Sequence, residues 1–208
     1  MANPNKPSGI IPIGSAGSNA FNGQGNLYAI ANDASNTYAI GDPVKTAAGT
    51  DVNGIPYVVK ATSGDVCLGI VVGFRVADPG QSLVGANLNL NNIFLPLNSG
   101  LRYVYVVDDP DIIFEVQMDS TAVTLANLHK NSNLTITAND TTNLAISPVS
   151  SVVLTGSTVN TTNSFSIRML GLVQRDDNQI TSSTVAGAYC RVKCKWNTHE
   201  FFGSFTAS

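Results

Sequence analysis

The chain has few charged side chains. Of its 208 residues, 11 are Lys or Arg and 14 are Asp or Glu, so 12% carry charge and the formal net charge is -3. A typical soluble domain has about twice that charged fraction, roughly 25%. The sequence has neither an excess nor a run of basic residues with which to displace counterions from a phosphate backbone. Nucleic acid is therefore not expected as a partner.

Long apolar runs are also missing. No stretch of about 18 residues is apolar throughout, so we predict no membrane-spanning helix and expect no membrane partner. Near the N-terminus, Pro12 and Gly14 interrupt the apolar residues Ile10, Ile11 and Ile13, and no apolar core of a signal peptide is left. We expect a protein that is synthesised and folded in a cytoplasm.

Cysteine and histidine are scarce. The chain has three cysteines, Cys67, Cys190 and Cys194, and its two histidines are His129 and His199. On a single strand, Cys190 and Cys194 would lie about 13 Å apart, farther than the roughly 7 Å between Cα atoms that a disulfide allows. Reduced thiols in the core are predicted, and a disulfide from Cys67 to one of the other two stays open.

The sequence lacks the usual catalytic and ligand-binding motifs. It has no Gly-x-Ser-x-Gly nucleophile elbow and no Gly-x-Gly-x-x-Gly phosphate loop. A thiol dyad of Cys67 with a histidine is possible in any chain that has both residues. Cys190, Cys194 and His199 supply three zinc ligands where a structural site normally has four. We therefore predict a protein that is not an enzyme and holds no cofactor or metal.

Carboxylates cluster in the sequence Asp108-Asp109-Pro110-Asp111, and a second pair lies at residues 176–177. Side chains of this kind most often accept backbone N–H groups in a turn, and that is our interpretation of residues 108–111. Oxygen ligands for Ca²⁺ and the paired carboxylates of a glycosidase are the alternatives. The spacing does not fit a twelve-residue EF-hand loop.

What the chain does have is many short segments of β-branched and aromatic residues between turn signals. Strands are predicted at residues 55–61, 66–77, 101–107, 112–118, 164–178 and 187–197. Gly69 and Gly73 predict a bulge or a close backbone approach, and residues 108–111 predict a tight hairpin. The fold class predicted is all-β, a mainly antiparallel β-sandwich or small barrel.

Two local patterns add detail to this prediction. Residues 187–197 alternate cleanly, which places four side chains on one buried face: Cys190, Val192, Cys194 and Trp196. Asp119 or Ser120 is suited to cap one short helix over residues 121–128.

The first 26 residues differ in composition from the rest. Residues 1–26 are rich in Asn, Pro, Gly and Ser and show no strand or helix periodicity, yet they carry four large apolar side chains: Ile10, Ile11, Ile13 and Phe21. The segment is either a frayed terminus or an extended arm that docks on a neighbouring subunit. Ordering it costs about 1–2 kcal/mol per residue, so we expect such an arm to order mainly in an assembly. A β-rich domain is then predicted over residues 27–208.

The C-terminal end carries three more large apolar side chains, Phe201, Phe202 and Phe205. Aromatic side chains so close to a terminus either cover the edge of a core or contact a partner. Together with the four apolar residues of the arm, they are the candidate protein-interface residues.

Three stretches resemble podovirus-type head proteins of tailed phages: "YVVDDPDIIFEVQMD" at 105–119, "FSIRMLGLVQRDDNQI" at 165–180 and "CRVKCKWNTHEF" at 190–201. Members of that group are capsid cement or decoration proteins. The resemblance implies a virion structural protein that binds the major capsid protein on the outer surface of the head as a homotrimer. It also implies that many copies of one weak contact stabilise the shell.

A second function stays open, that of a head-fibre or tail adhesin with a carbohydrate-binding β-sandwich. Such sites usually present exposed Trp and Tyr side chains to sugars. Trp196, the one tryptophan of the chain, is predicted to be buried, which favours the cement interpretation.

Overall fold

The computed structural model describes residues 3–17, 20–30, 33, 35–75, 94–95, 102–139, 149–178, 180–182 and 184–202. Within them the chain forms the following strands and single-turn 3-10 helices: β1 (Ile11–Ser15), β2 (Asn26–Ile30), β3 (Tyr38–Ala39), β4 (Pro43–Thr50), β5 (Pro56–Lys60), β6 (Gly69–Arg75), β7 (Phe94–Leu95), β8 (Arg102–Val107), β9 (Ile112–Gln117), β10 (Val123–Thr124), η1 (Leu125–Asn127), β11 (Asn131–Ser132), β12 (Leu134–Thr135), β13 (Val153–Leu154), η2 (Gly156–Thr158), β14 (Ile167–Leu172), β15 (Val185–Gly187) and β16 (Arg191–Trp196).

Five strands close into a small barrel in the order β2-β5-β4-β6-β8. Only the β2–β5 contact is parallel, and the other four contacts are antiparallel. The Asn53-Gly54 turn joins β4 to β5, where the Asp51 carboxylate accepts the backbone N–H groups of Asn53 and Ile55. The barrel interior is filled by Tyr28, Ile30, Tyr38, Val44, Val58, Leu68, Val71, Phe74, Val104 and Val106.

A second, five-stranded antiparallel sheet has the order β1-β9-β16-β14-β11. Its central strand, β16, alternates as the sequence predicted: Cys190, Val192, Cys194 and Trp196 are all 1% exposed or less. That prediction is confirmed.

The barrel packs against the inner face of this sheet. Ile70 and Val71 are neighbours on β6 and point to opposite sides, since Val71 lies in the barrel interior and Ile70 lies in the core beneath the sheet. That core also contains Phe114 and Trp196, whose rings meet edge to face with centroids 5.4 Å apart. The all-β, mainly antiparallel prediction is confirmed, with the small barrel as one of its two parts.

The predicted bulge or close approach at the β6 glycines is also confirmed. The β6–β8 register shifts between Val71 and Gly73. Gly69 lies so close to the backbone of Val107 that a side chain would not fit. Among the described residues, no helix is long and apolar enough to cross a membrane.

The predicted hairpin at residues 108–111 is wrong. β8 pairs with β2 and β6 in the barrel, whereas β9 pairs with β1 and β16 in the sheet. The turn itself forms, because Asp109 Oδ1 accepts the backbone N–H of Asp111 at 2.8 Å. It therefore links the two parts of the fold, since each flanking strand finds its partners far away in sequence.

The predicted helix at residues 121–128 is also wrong. Val123–Thr124 forms β10, which pairs with β15, and only the 3-10 turn Leu125–Asn127 follows. Asp119 Oδ1 accepts the N–H of Thr121, but strand pairing with a segment about sixty residues away overrides the local helical pattern.

Residues 3–17 do not form a free arm in this structure. Ile11–Ser15 is β1, which pairs along β9, and Ile10 is 1% exposed in the core beneath the sheet. The expectation of an unstructured segment that a neighbour must order is thus wrong for these residues. Their partners lie about a hundred residues away in sequence, as in the pairing of Ile11 with Glu115. The boundary at residue 26 stays a prediction.

Candidate functional site

Two exposed apolar patches lie at the two ends of the described chain. The N-terminal patch consists of Ile11 and Ile13 on β1, whose side chains are 37% and 38% exposed. The C-terminal patch consists of Phe201 and Phe202, which are 46% and 48% exposed. Phe205, the third predicted phenylalanine, lies outside the described residues.

The other two predicted interface residues are not free surface. Ile10 is buried among the side chains of the chain's own core and cannot contact a partner. Phe21 is partly buried against the same core. Of the predicted set, the structure therefore leaves four described residues exposed, two in each patch.

Polar contacts hold the N-terminal segment on the sheet. Arg191 donates to the Lys6 carbonyl oxygen at 2.7 Å and to Ser8 Oγ at 3.0 Å. Gln117 accepts the Lys6 N–H at 3.0 Å and donates to Asn5 Oδ1 at 3.0 Å. These contacts fix the chain immediately before β1 and so fix the position of the N-terminal patch.

β1 is the last strand on its side of the sheet. A bridge from Gly14 to Ala20 covers its far edge at one position. Pro12 in the middle of β1 has no N–H to donate, which limits pairing with a further strand. A contact at this edge would rest mainly on the side chains of Ile11 and Ile13.

The C-terminal patch is built on His199. The imidazole is 2% exposed and packs against Trp196, Phe201 and Phe202, with ring centroids 5.9, 5.3 and 5.7 Å away. Its Nδ1 accepts the Phe201 N–H at 3.0 Å. Burial lowers the pKa of His199, so the ring is neutral at pH 7 and is compatible with its aromatic surroundings.

Glu200 ties the same turn to the barrel. Its backbone N–H donates to the Cys67 carbonyl oxygen at 3.1 Å, and its carboxylate accepts the Thr46 N–H at 2.9 Å. The exposed phenylalanines are thus held on a fixed turn. From the sequence, His199 was a candidate zinc ligand or a partner for Cys67, although its position near Trp196, Phe201 and Phe202 was a signal for aromatic packing.

A cleft of about 550 Å³ opens where the β8–β9 link meets residues 20–26. Its lining includes Phe21 and the polar side chains of Asn22, Gln24, Asn26, Asp108 and Asp109. Asp108 accepts hydrogen bonds from Tyr28 Oη at 2.6 Å and from Asn26 Nδ2 at 2.9 Å. The wall of the cleft is therefore a fixed polar surface beside one aromatic ring.

The cysteines are free and buried. Burial raises the pKa of Cys67 to about 12 and that of Cys190 to about 11, and it also raises the pKa of Cys194. At neutral pH all three are thiols, which are poor nucleophiles and poor metal ligands. In the described part of the chain, no group of three or more His, Cys, Asp and Glu side chains is placed to hold a metal ion.

Two of the clustered carboxylates form ion pairs. Asp111 lies 3.5 Å from Lys195 Nζ, and Asp177 lies 3.0 Å from Arg175 Nε. The Arg175 guanidinium holds the pKa of Asp177 below its usual range. Asp109 Oδ1, which accepts the Asp111 N–H, fits the turn interpretation of residues 108–111, and Asp177 forms an ion pair at the surface.

No known protein family, curated protein or solved structure matches the chain.

Proposed function

We propose that this chain is a virion structural protein, a cement or decoration protein on the outer surface of a phage head. Its partners would be the major capsid protein and further copies of itself in a homotrimer. The observation that carries the proposal is the N-terminal patch: Ile11 and Ile13 are exposed on a strand that is itself held rigidly on the sheet. A preordered apolar strand at a sheet edge is a surface suited to protein contact.

Each patch is small, so one contact alone is weak. Burying a fully exposed isoleucine contributes about 1.5–3 kcal/mol, and Ile11 and Ile13 are little more than one third exposed. Each copy has two patches, and a trimer has three copies. Once one patch is bound, the others bind at a high effective concentration, which raises the overall affinity. Rigid patches avoid the entropy of ordering an arm at the moment of binding. Weak contacts repeated over a symmetric shell are what a cement protein needs.

The test is co-sedimentation of the purified protein with expanded phage heads. We expect the wild type to sediment with heads and the Ile11→Ser, Ile13→Ser double variant to bind at least tenfold more weakly. A Phe201→Ser, Phe202→Ser double variant tests the C-terminal patch in the same way. Val52, 97% exposed on the β4–β5 turn, is the matched control, and Val52→Ser should bind like the wild type. A wild-type protein that stays in the supernatant would overturn the proposal.

The second candidate is a carbohydrate-binding adhesin of a head fibre or tail. The cleft beside Phe21 favours it, because amide and carboxylate groups next to an aromatic ring are suited to sugar hydroxyls. Trp196 counts against it, since that ring is buried. Strong glycan-array signals that disappear in Gln24→Ala, together with no binding to heads, would favour this candidate over the first.

We also propose that the chain has no enzymatic activity. The support is chemical: the three thiols are buried and protonated, and His199 is enclosed by aromatic rings. A hydrolytic activity that is lost in an Asp109→Ala, Asp111→Ala double variant would contradict this.

A further inference from the structure

An amine, a carboxylate and a carboxamide meet inside the protein at Lys60, Asp42 and Asn139. Asp42 is 0% exposed, the Lys60 side chain 6% and Asn139 4%. Asp42 Oδ2 accepts a hydrogen bond from Lys60 Nζ at 2.9 Å and one from Asn139 Nδ2 at 2.7 Å. The Thr37 carbonyl oxygen accepts from the same two nitrogens, at 3.3 and 3.2 Å. Two shared acceptors thus hold the amine beside the carboxamide.

Three separate parts of the fold deliver these groups. Asp42 lies in the turn between β3 and β4, where its Oδ2 also accepts the Ala39 N–H at 2.9 Å. Lys60 is the last residue of β5, and Asn139 follows β12. Asp42 and Asn139 are 97 residues apart in sequence. The cluster is therefore a product of the tertiary fold and joins the barrel to the segment after β12.

Two oxygen atoms in this cluster have no hydrogen-bond partner among the described residues, namely Asp42 Oδ1 and Asn139 Oδ1. Buried oxygens of this kind are rare in native proteins and cost free energy. An ion pair with only a structural role does not explain why these two oxygens lack hydrogen-bond partners. A reaction at the Asn139 carboxamide would give both oxygens a role. The carboxamide oxygen must take up negative charge, and the nearby carboxyl group of Asp42 can supply a proton to it.

We propose that Lys60 and Asn139 form an intramolecular isopeptide bond, with Asp42 as the proton carrier. A proton passes from the Lys60 ammonium to the Asp42 carboxylate within the ion pair, which gives a neutral amine and a neutral acid. The lone pair of Nζ then attacks Cγ of Asn139, while Asp42 hydrogen-bonds to the carboxamide oxygen. The Cγ–Nδ2 bond breaks, and the leaving nitrogen takes the proton held by Asp42 together with the proton that Nζ loses as it becomes an amide nitrogen, so it departs as an ammonium ion.

The atoms and charges balance without an external reagent. A lysine ammonium and an asparagine carboxamide become a secondary amide and one ammonium ion, and Asp42 returns to its carboxylate form. Lys60 and Asn139 are therefore the two reactants of a single self-modification, and Asp42 is the residue that transfers the proton and is regenerated.

The surroundings favour this reaction. Tyr38, Ala39, Val44 and Ala61, which flank Asp42 and Lys60 along the chain, are each 1% exposed or less. Exclusion of water strengthens the interaction of Asp42 with the developing charge and removes hydrolysis as a competitor. Because the fold holds the amine and the carboxamide on common acceptors, the reaction is effectively unimolecular.

The first measurement is the intact mass of the folded, purified full-length protein under denaturing conditions. We expect the mass to fall short of the sequence mass by one ammonia molecule. Proteolysis should yield a branched peptide that contains Lys60 and Asn139, with no tryptic cleavage after Lys60. A wild-type protein with its full sequence mass and an ordinary cleavage at Lys60 would overturn the proposal.

The variants distinguish the cross-link from other losses of ammonia. Succinimide formation at Asn22-Gly23 or Asn53-Gly54 gives the same mass change, but Lys60→Arg would not prevent it. We expect Lys60→Arg and Asn139→Ala to restore the full mass. Lys45→Arg is the matched control, because Lys45 forms an ion pair with Asp65 at the surface, and it should keep the mass loss. A mass loss that persists in Lys60→Arg would contradict the proposal, and the branched wild-type peptide decides the matter even where a variant fails to fold.

Discussion

The backbone of Gly69 in β6 lies directly against the carbonyl group of Val107 at the end of β8. A Cβ atom at residue 69 would overlap the Val107 carbonyl oxygen and would come within 2.8 Å of the Val106 side chain. These atoms belong to the strand pair that closes the barrel on the side facing the sheet. The contact therefore makes residue 69 a position at which only glycine fits without a backbone shift.

Replacing that glycine should weaken the whole protein. We expect Gly69→Ala to lower the free energy of unfolding by about 2–4 kcal/mol, because β6 must move away from β8 to admit the methyl group. Chemical denaturation followed by tryptophan fluorescence measures the change. Gly73→Ala on the same strand is the matched control: the nearest atom, Tyr105 Cδ2, is 3.6 Å away, and the loss should stay below about 1 kcal/mol. Equal losses would show that the contact at Gly69 is not tight.

Arg191 should control the order of the N-terminal segment. Arg191→Met removes the donors to the Lys6 carbonyl and to Ser8 Oγ while Arg175 still pairs with Glu115. We expect a loss of about 1–3 kcal/mol locally, seen as faster hydrogen–deuterium exchange in residues 3–8. Lys193→Met, exposed on the same strand and face, should leave that exchange unchanged. Unchanged exchange in both variants would mean that other contacts hold the segment.

The three thiols should be unreactive toward thiol reagents in the folded protein. Because burial raises the pKa of Cys67 to about 12 and that of Cys190 to about 11, a thiol-specific disulfide reagent at pH 8 should react with none of the three cysteines. All three should react at once after denaturation. Rapid reaction of one thiol in the native protein would show that its segment opens locally.

Acidification should destabilise the protein through His199. Burial lowers its pKa below the ordinary 6.5, so the unfolded chain takes up this proton at a higher pH than the folded chain does. The unfolded state then binds more protons, and the free energy of unfolding falls as the pH drops through 6.5 toward the folded pKa. Above pH 6.5 this contribution is constant.

The matching variant is His199→Asn, whose side-chain oxygen can still accept the Phe201 N–H. It should flatten the dependence of the melting temperature on pH below 6.5, where the buried neutral histidine resists protonation. An identical slope in the wild type and the variant would contradict the assignment.

Local pattern predicted those elements whose burial alternates within one segment. Residues 190–196 are the example, since period-two alternation on β16 directly marks the buried face. Prediction from local pattern failed where pairing with a segment distant in sequence determines the structure. Pro12 and Gly14 interrupt the strand pattern of β1, which forms because it pairs with β9. Residues 108–111 resemble a hairpin turn, although the strands on either side of them belong to different sheets.

The candidate surface was predicted only in part. Large apolar residues near the ends of the chain pointed to Ile11, Ile13, Phe201 and Phe202, but nothing local distinguishes them from Ile10, which the fold buries. The cluster of Lys60, Asp42 and Asn139 left no trace in the sequence, because its members lie on segments that meet only after both the barrel and the segment beyond β12 are in place.

The place of β16 in the middle of its sheet has a consequence for synthesis on the ribosome. The barrel strands, between Asn26 and Val107, are all synthesised well before β16 and can close early. β9 and β14 have no common neighbour until residues 191–196 follow, so the inner face of the sheet stays open until β16 is synthesised. The nascent chain thus carries a finished barrel and an unfinished apolar layer, and that interval is when a chaperone would be needed most.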